Sequence, residues 1–187
     1  MLARLHQARH ELDLLDRAVF AAVQATSSPT LDATLARLSH GANRSALWVA
    51  VAAVMSAFGR RPRQAALTGL AAVSLTSAVV NIGMKRVFRR GRPSREQSVR
   101  THVVRMPGST SHPSGHAASA FAFSTAVGRA APHLDVPLRA MAAAVAYSRV
   151  HNGVHYPGDV IVGALVGSSV GAVVARVAAR RGPARPG

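Results

Sequence analysis

Long uncharged stretches alternate with short basic clusters along the chain. Residues 65–84 form a run of twenty without a charged side chain, which is about the length that crosses a hydrocarbon layer of roughly 30 Å. Shorter apolar runs lie at 45–59, 114–131, 138–150 and 159–178. Each of these alone would also fit a core helix of a soluble bundle. Because five runs follow one another between basic loops, the pattern predicts an all-α, membrane-embedded bundle of about five transmembrane helices.

The last apolar run has a glycine at every fourth position, namely Gly163, Gly167 and Gly171. Small residues at this spacing form a smooth stripe on one side of a helix, along which another helix can pack closely in lipid. An Ala- and Gly-rich composition would produce similar spacing without such a role. The regular interval nevertheless favours close contact between this helix and a neighbour.

The first forty residues have a different pattern. Between Glu11 and Ala25, apolar residues such as Leu12, Leu15 and Val19 recur at helical spacing, with charges on the other side. This arrangement predicts an amphipathic helix on the membrane surface. A second short helix is expected before the transmembrane region begins.

The chain therefore divides into three segments. Residues 1–40 are expected to form an amphipathic helical segment, 41–178 a transmembrane domain, and 179–187 a basic, Pro- and Gly-rich tail without fixed structure. A signal peptide is not expected, because no apolar core with a cleavage site follows the first basic residues.

Composition narrows the choice of partner. The chain has 187 residues, 49% of them hydrophobic, with 23 Lys and Arg against 7 Asp and Glu and a formal net charge of +16. Such a charge suggests either nucleic acid or an anionic membrane as the partner. The uncharged runs favour the membrane, and no aromatic stacking platform for nucleic acid accompanies the basic loops. Cysteine is absent, which excludes disulfides and thiolate metal sites.

Two connections hold most of the unusual polar residues. If successive helices cross the membrane, the loop 85–113 and the turn 151–158 lie on the same face. The loop begins with Lys85 and Arg92 and ends at Ser114, Gly115 and His116. Ser114 is suited to cap the next helix, Gly115 allows close approach of a ligand, and a helix N-terminus binds phosphate. Taken alone, the basic cluster could also be an anchor for lipid headgroups. The Ser-Gly pair alone could also be an ordinary helix cap.

The segment "SRVHNGVHYPGDV" raises a choice between a metal site and a nucleophile. His151, His155 and Asp159 would project together from one helix and could then bind a metal. Gly153, Pro157 and Gly158 favour a turn instead, so neither a metal nor another cofactor is expected.

In the favoured interpretation, Asp159 orients the imidazole of His155, which acts as a nucleophile. His116 is then available as general acid and later as general base. Arg149 is assigned to the phosphate clamp with Lys85 and Arg92.

These residues resemble the signature of a known family. The segments Lys85–Pro93, Pro113–His116 and Ser148–Asp159 match the three motifs of the type 2 phosphatidic acid phosphatase (PAP2) superfamily, which also includes vanadium-dependent haloperoxidases. The resemblance covers residues 39–177 and is strongest to small bacterial members of the actinobacterial type. His112 stands where these members usually have Phe or Leu.

The resemblance implies a metal-independent lipid phosphatase with a helical PAP2 core. It implies that His155 attacks phosphorus to form a phosphohistidine and that His116 protonates the leaving group. The implied ligands of the phosphate and the transition state are Lys85, Arg92, Ser114, Gly115, His116 and Arg149. A haloperoxidase-like enzyme that holds vanadate and a non-catalytic lipid-binding scaffold are the alternatives.

The expected substrate is a lipid phosphate or diphosphate: a polyprenyl diphosphate, a decaprenyl-linked phosphosugar, phosphatidic acid or phosphatidylglycerophosphate. We expect a multi-pass protein of the inner (plasma) membrane, and a homo-oligomer is compatible with the sequence. The count of positive residues in the active-site loop would place that loop in the cytoplasm. The resemblance implies the outer face, which is our expectation. The basic residues counted are at positions 85, 86, 89, 90, 92, 95, 100 and 105.

Overall fold

A computed structural model of the chain describes residues 1–26, 28–94 and 106–181. Within these ranges the regular structure is entirely helical, which confirms the predicted all-α class. Short 3-10 turns at Asn43–Ser45 and Pro132–Leu134 each precede a helix. The helices are α1 (Leu2–Ala25), α2 (Pro29–Gly41), α3 (Ala46–Ser56), α4 (Arg60–Val87), α5 (Gly115–Ala130), α6 (Asp135–His151) and α7 (Pro157–Arg181).

Helix α5 is the central element of the bundle and packs against α4, α6 and α7. Five of its alanines, at positions 117, 118, 120, 122 and 126, are completely buried because their small side chains allow neighbouring helices to come close. On α7, a Cβ atom added to Gly163 would lie 2.5 Å from the carbonyl oxygen of Ser114, and one added to Gly167 would overlap that of Ala118. The glycine stripe therefore lies directly against α5, as its spacing predicted.

A second packing centre lies among α3, α4 and α5. The buried rings of Trp48 and Phe123 have centroids 5.2 Å apart. Gly69 on α4 makes room for Phe123, since a Cβ at this position would come within 2.8 Å of its ring. This apolar cluster fixes α4 against α5.

Two of the described helices, α4 and α7, are long and apolar enough to cross a membrane. Both expose large apolar side chains, among them Leu67 and Ile82 on α4 and Ile161 and Leu165 on α7. The prediction began the α4 span at residue 65, but the helix begins at Arg60 and includes the basic cluster in its first turn. Pro62 is tolerated there because the first backbone N–H groups of a helix have no intrahelical acceptor.

Helix α1 is longer than the predicted amphipathic segment and contacts α6 and α7. Its apolar stripe, which includes Leu12, Leu15 and Val19, is exposed. An adjacent stripe packs onto the bundle: the Phe20 ring meets Tyr156 edge to face, and the Gln24 side chain donates to the carbonyl oxygen of Val150 at 2.9 Å.

The segment predicted as an unstructured tail begins inside a helix. Helix α7 continues to Arg181, three residues beyond the predicted end of the transmembrane domain. Residues 182–187 lie outside the described residues, as do Arg95, Arg100 and Arg105 of the active-site loop.

Candidate active site

The loop after α4 and the turn between α6 and α7 meet at one end of the bundle. Arg92 Nη1 donates to the carbonyl oxygen of Val154 at 2.7 Å, and the Ser114 N–H donates to that of Asp159 at 2.9 Å. The prediction that these two connections share one face is therefore confirmed for the described part of the loop.

Lys85 and Arg92 are held by the returning part of the same loop. Lys85 follows a π-helical turn of α4, Val79–Met84, and its ammonium group donates to Ser109 Oγ at 3.2 Å. Arg92 Nε donates to the Ser109 carbonyl oxygen at 2.8 Å, and Nη2 donates to the Thr110 carbonyl oxygen at 3.3 Å. The two cations are thereby brought to one small region.

The start of α5 faces these cations. Ser114 is the N-cap, and its Oγ accepts the Ala117 N–H at 3.5 Å, as predicted. A Cβ added to Gly115 would lie 4.0 Å from Lys85 Nζ, so the first turn of α5 and the Lys85 ammonium group are neighbours. Free N–H groups and an ammonium group at this spacing form an anion-binding arrangement.

His116 lies in the first turn of α5 and has a partner that the sequence analysis missed. Its Nε2 lies 3.0 Å from Asn43 Oδ1. Because an amide oxygen only accepts hydrogen bonds, Nε2 carries the hydrogen of this pair. Asn43 begins a 3-10 turn in which Arg44 and Ser45 adopt left-handed backbone angles, with φ of 52° and 62°. This turn is 73 residues from His116 in sequence, and no motif pointed to it.

Arg149, near the end of α6, is almost completely buried. Its Nη1 donates to Ser39 Oγ, whereas Nε has no hydrogen-bond partner among the described residues. A buried N–H without an acceptor is unfavourable by about 1–3 kcal/mol. A bound oxyanion would satisfy this donor, which fits the predicted assignment of Arg149 to the phosphate clamp.

His155 lies in the turn before α7 with a different partner at each ring nitrogen. Arg92 Nη1 is 3.1 Å from Nε2, and Asp159 Oδ2 is 3.5 Å from Nδ1. Since a guanidinium group can only donate, Nε2 presents its lone pair and Nδ1 carries the hydrogen. Burial and the charges of Arg92 and Arg149, opposed by Asp159, together lower the pKa of His155 to about 4.

The position of Asp159 follows from the way α7 begins. Asp159 is the third residue of the helix, and its Oδ2 reaches back to accept the Tyr156 N–H at 3.0 Å, as an acidic residue does in a capping box. Ser111 Oγ also donates to Oδ2. The other oxygen, Oδ1, faces His112 Nδ1 at 3.1 Å and Arg90 Nη1 at 3.3 Å. The carboxylate is fully buried, and Oδ1 has two partners whereas Oδ2 has three, because Oδ2 also faces His155 Nδ1.

Three of these partners were not assigned to the site from the sequence. Ser111, His112 and Arg90 all contact Asp159 from the loop after α4. His112 had been noted only as a departure from the family pattern. Arg90 was one arginine in a basic cluster, and nothing local distinguished it from its neighbours.

His151 does not join His155 and Asp159. Its Nε2 lies 2.6 Å from Asp32 Oδ1 on α2, and its ring is buried. Helix α6 ends at His151 and α7 begins at Pro157, so the segment is a turn, as Gly153 and Pro157 predicted. The single helical face that the metal alternative required is therefore not formed.

Comparison with known proteins identifies the class to which this fold and site belong. The profile of the PAP2 superfamily matches residues 64–183. The chain is a member of that superfamily and is a PAP2-type lipid phosphatase.

Two sequence relatives are decaprenylphosphoryl-5-phosphoribose phosphatases. That of Mycolicibacterium smegmatis is 36% identical over 78% of this chain and 79% of its own length. That of Mycobacterium tuberculosis is 35% identical over 78% of this chain and 81% of its own length.

Solved structures show the same fold. LpxE of Aquifex aeolicus matches with a TM-score of 0.71 and 24% identity, over 85% of this chain and 93% of its own. A transmembrane PAP2-type phosphatidylglycerolphosphate phosphatase of Bacillus subtilis matches with a TM-score of 0.72 and 23% identity, over 94% and 90%.

Proposed function

We propose that the chain is a multi-pass membrane enzyme that removes phosphate from a lipid-linked substrate through a phosphohistidine at His155. The observation that carries the proposal is the orientation of this ring. Nε2 presents a lone pair beside Arg92, while Nδ1–H faces the buried carboxylate of Asp159. A nucleophile held in one tautomer by a carboxylate and directed at a cation is suited to attack a bound phosphate.

In the first step, His155 Nε2 attacks phosphorus, so that a P–N bond forms and the bond to the lipid oxygen breaks. His116 enters this step protonated at both ring nitrogens and donates the Nδ1 proton to the leaving oxygen, while Nε2–H stays bonded to Asn43. The imidazole of the phosphohistidine is cationic, and the carboxylate of Asp159 stabilises it through Nδ1–H.

In the second step, His116 removes a proton from water and the resulting hydroxide attacks the phosphohistidine. The P–N bond breaks, inorganic phosphate leaves, and His155 regains its lone pair. The hydrogen bond to Asn43 holds His116 at the edge of the site in both steps.

The phosphate oxygens are bound by the clamp of Lys85, Arg92 and Arg149 together with the first N–H groups of α5. Two observations support this assignment: Arg149 Nε has no partner in the part of the chain that the structure describes, and Lys85 lies close to Gly115. Such donors stabilise the charge that develops on the equatorial oxygens, and the loss of one donor typically costs about 2–4 kcal/mol of transition-state stabilisation.

For the substrate we propose a polyprenyl-linked phosphosugar with a terminal phosphomonoester. The two mycobacterial relatives align over more than three quarters of their length, and they are named as phosphatases of decaprenylphosphoryl-5-phosphoribose, a substrate of this kind. An enzyme site at one end of a membrane bundle is also suited to a phosphate at headgroup depth. We further propose that five helices, from α3 to α7, cross the membrane and that the site faces outward.

The proposal is tested by phosphate release from lipid phosphates and diphosphates in detergent, in the presence of EDTA. We expect wild type to be active, His155→Ala to be inactive and His133→Ala to retain full activity. His133 is a matched control because it is exposed and lies in the 3-10 turn before α6. Substantial activity of purified, folded His155→Ala would disprove the phosphohistidine mechanism.

A further inference from the structure

Arg90 lies where helix α1 meets the start of α7. Its Nη2 is 2.9 Å from Asp13 Oδ1, and its Nη1 is 2.5 Å from Asp16 Oδ2 and 3.3 Å from Asp159 Oδ1. The guanidinium carbon is 4.3 Å from the centre of the Tyr156 ring, at a distance typical of a cation–π contact. One cation therefore joins two carboxylates of α1 to the carboxylate behind His155.

Asp16 also contacts α7 directly. Its Oδ1 accepts the Gly158 N–H at 2.7 Å, so a carboxylate from α1 satisfies one of the free N–H groups in the first turn of α7. A Cβ added to Gly158 would lie only 3.1 Å from Asp16 Oδ2, so the lack of a side chain at this position allows the carboxylate to approach closely. Asp159 is the next residue of that turn.

We propose that α1 is a positioning element of the active site: Asp13 and Asp16 hold Arg90 against Oδ1 of Asp159, which leaves Oδ2 directed at His155. The inference rests on the proposed function, and it assigns Arg90, Asp13 and Asp16 as positioning residues rather than catalytic ones. It gives the N-terminal segment a role in the reaction besides contact with the membrane surface.

This network differs from ordinary surface ion pairs. The side chains of Asp16 and Asp159 are 11% and 0% exposed and that of Arg90 is 27% exposed, whereas Asp13, at the outer edge of the network, is 39% exposed. Charge-assisted hydrogen bonds shielded from water are stronger and define geometry better than exposed pairs. The contacts are also spread over three elements, since α1, the loop after α4 and α7 each contribute.

Arg90 remains charged in this setting. Burial acts to lower its pKa, but the hydrogen bond to Asp16 and the charges of Asp159, Asp16 and Asp13 outweigh burial, and the net pKa is raised. A permanent cation on Oδ1 reduces the negative potential that Asp159 exerts on His155. Removal of that cation would make protonation of His155 easier. The polar groups that face or surround His155 are Arg92, Ser111, His116, Arg149 and Asp159.

The test compares kcat, KM and pH dependence in the full-length protein in detergent. We expect the Asp13→Asn/Asp16→Asn variant to lose about tenfold in kcat with little change in KM, because a displaced orienting group lowers the rate while the phosphate clamp stays intact. Glu11→Gln is the matched control. It removes a carboxylate from the same helix that bonds only to Gln7 among the described residues. We expect Asp16→Glu to recover part of the rate.

For Arg90→Gln we measure the pH profile of kcat/KM, because a smaller amount of folded protein would not shift the pH at which the profile falls. We expect the acidic limb of its kcat/KM profile to shift to higher pH, because His155 then faces an uncompensated carboxylate. In the Arg90→Gln background, Asp13→Asn/Asp16→Asn should have little further effect on kcat, because both changes act through the same contact.

Three results would overturn the inference. Wild-type kcat in folded Asp13→Asn/Asp16→Asn would show that α1 does not position the site, and an unmoved acidic limb in Arg90→Gln would show that Arg90 does not act on Asp159. If the losses in kcat from Arg90→Gln and from Asp13→Asn/Asp16→Asn multiplied fully in the combined variant, the two changes would act through separate contacts. In each case an active wild type and an inactive His155→Ala would leave the proposed phosphatase mechanism intact. Absence of phosphate release from wild type would instead overturn that mechanism and the inference with it.

Discussion

The protonation state of His155 depends on how little water reaches its ring. Burial is the main cause that lowers its pKa to about 4; the charges of Arg92 and Arg149 act in the same direction, and Asp159 opposes them. The nucleophile must be unprotonated, so the active form predominates above that pKa. We expect kcat/KM to decrease on the acidic side only as the pH approaches about 4, where His155 becomes protonated. A limb near the ordinary histidine pKa of about 6.5, measured over a pH series in constant ionic strength, would contradict this prediction.

The carboxylate of Asp159 is expected to contribute more to rate than to binding. In Asp159→Asn the amide can donate to His155 Nδ1, which would place the ring hydrogen on Nε2, where the attacking lone pair is required. By analogy with the same change in serine proteases, we expect kcat to fall by about a thousandfold or more. KM should change little, because the phosphate clamp does not include this residue.

Asp135→Asn is the control for that change. Asp135 forms a partly exposed ion pair with Arg139 at the start of α6, with 2.8 Å between Nε and Oδ1. Exposed pairs at this spacing contribute about 0.3–0.5 kcal/mol, and we expect activity close to wild type. A similar loss of kcat in both variants would indicate a general effect of removing an acidic side chain.

At the scale of elements, the contact between α5 and α7 decides whether the site forms. Gly167→Ala would place a methyl group against the carbonyl oxygen of Ala118, and we expect a decrease of about 1–3 kcal/mol in the free energy of unfolding. Gly83→Ala is the matched control, since a Cβ there has nothing within 4 Å and Ala favours the helix. Thermal unfolding in detergent should separate the two, and equal melting temperatures would contradict the packing argument.

The predicted helices and the observed helices differ mainly at their ends. Residues 2–10 are rich in good helix formers, so α1 extends through them, whereas the predicted amphipathic helix began only at Glu11. The basic residues before 65 were assigned to a loop, but the first turn of a helix accepts both charge and proline. The start of α5 was predicted closely because Ser114 is a specific local capping signal. The last helix was predicted to begin at residue 159 but begins at Pro157, which had been assigned to the preceding turn, because proline is well suited to the first helical position.

At the scale of the whole molecule, membrane orientation is open to direct measurement. The chain has no cysteine, so Ser98→Cys in the active-site loop and Ala184→Cys in the tail each introduce a single reporter. With the site facing outward, we expect a membrane-impermeant maleimide to label Ser98→Cys in intact cells and Ala184→Cys only after lysis. The reverse pattern would place the site in the cytoplasm. Labelling of both from one side would contradict a membrane-spanning α7.

The helical class, the membrane character and the motif residues Lys85, Arg92, His116, His155 and Asp159 could all be predicted from the amino-acid sequence. They could be predicted because they depend on local patterns: uncharged runs, capping residues, and spacings within a few turns of chain. The groups that surround those residues became known only from the packing of the helices. Asn43 reaches His116 across 73 positions, and Asp16 reaches Arg90 across 74. Such contacts depend on how α1 and the turn before α3 pack against the bundle, and no local periodicity encodes that packing.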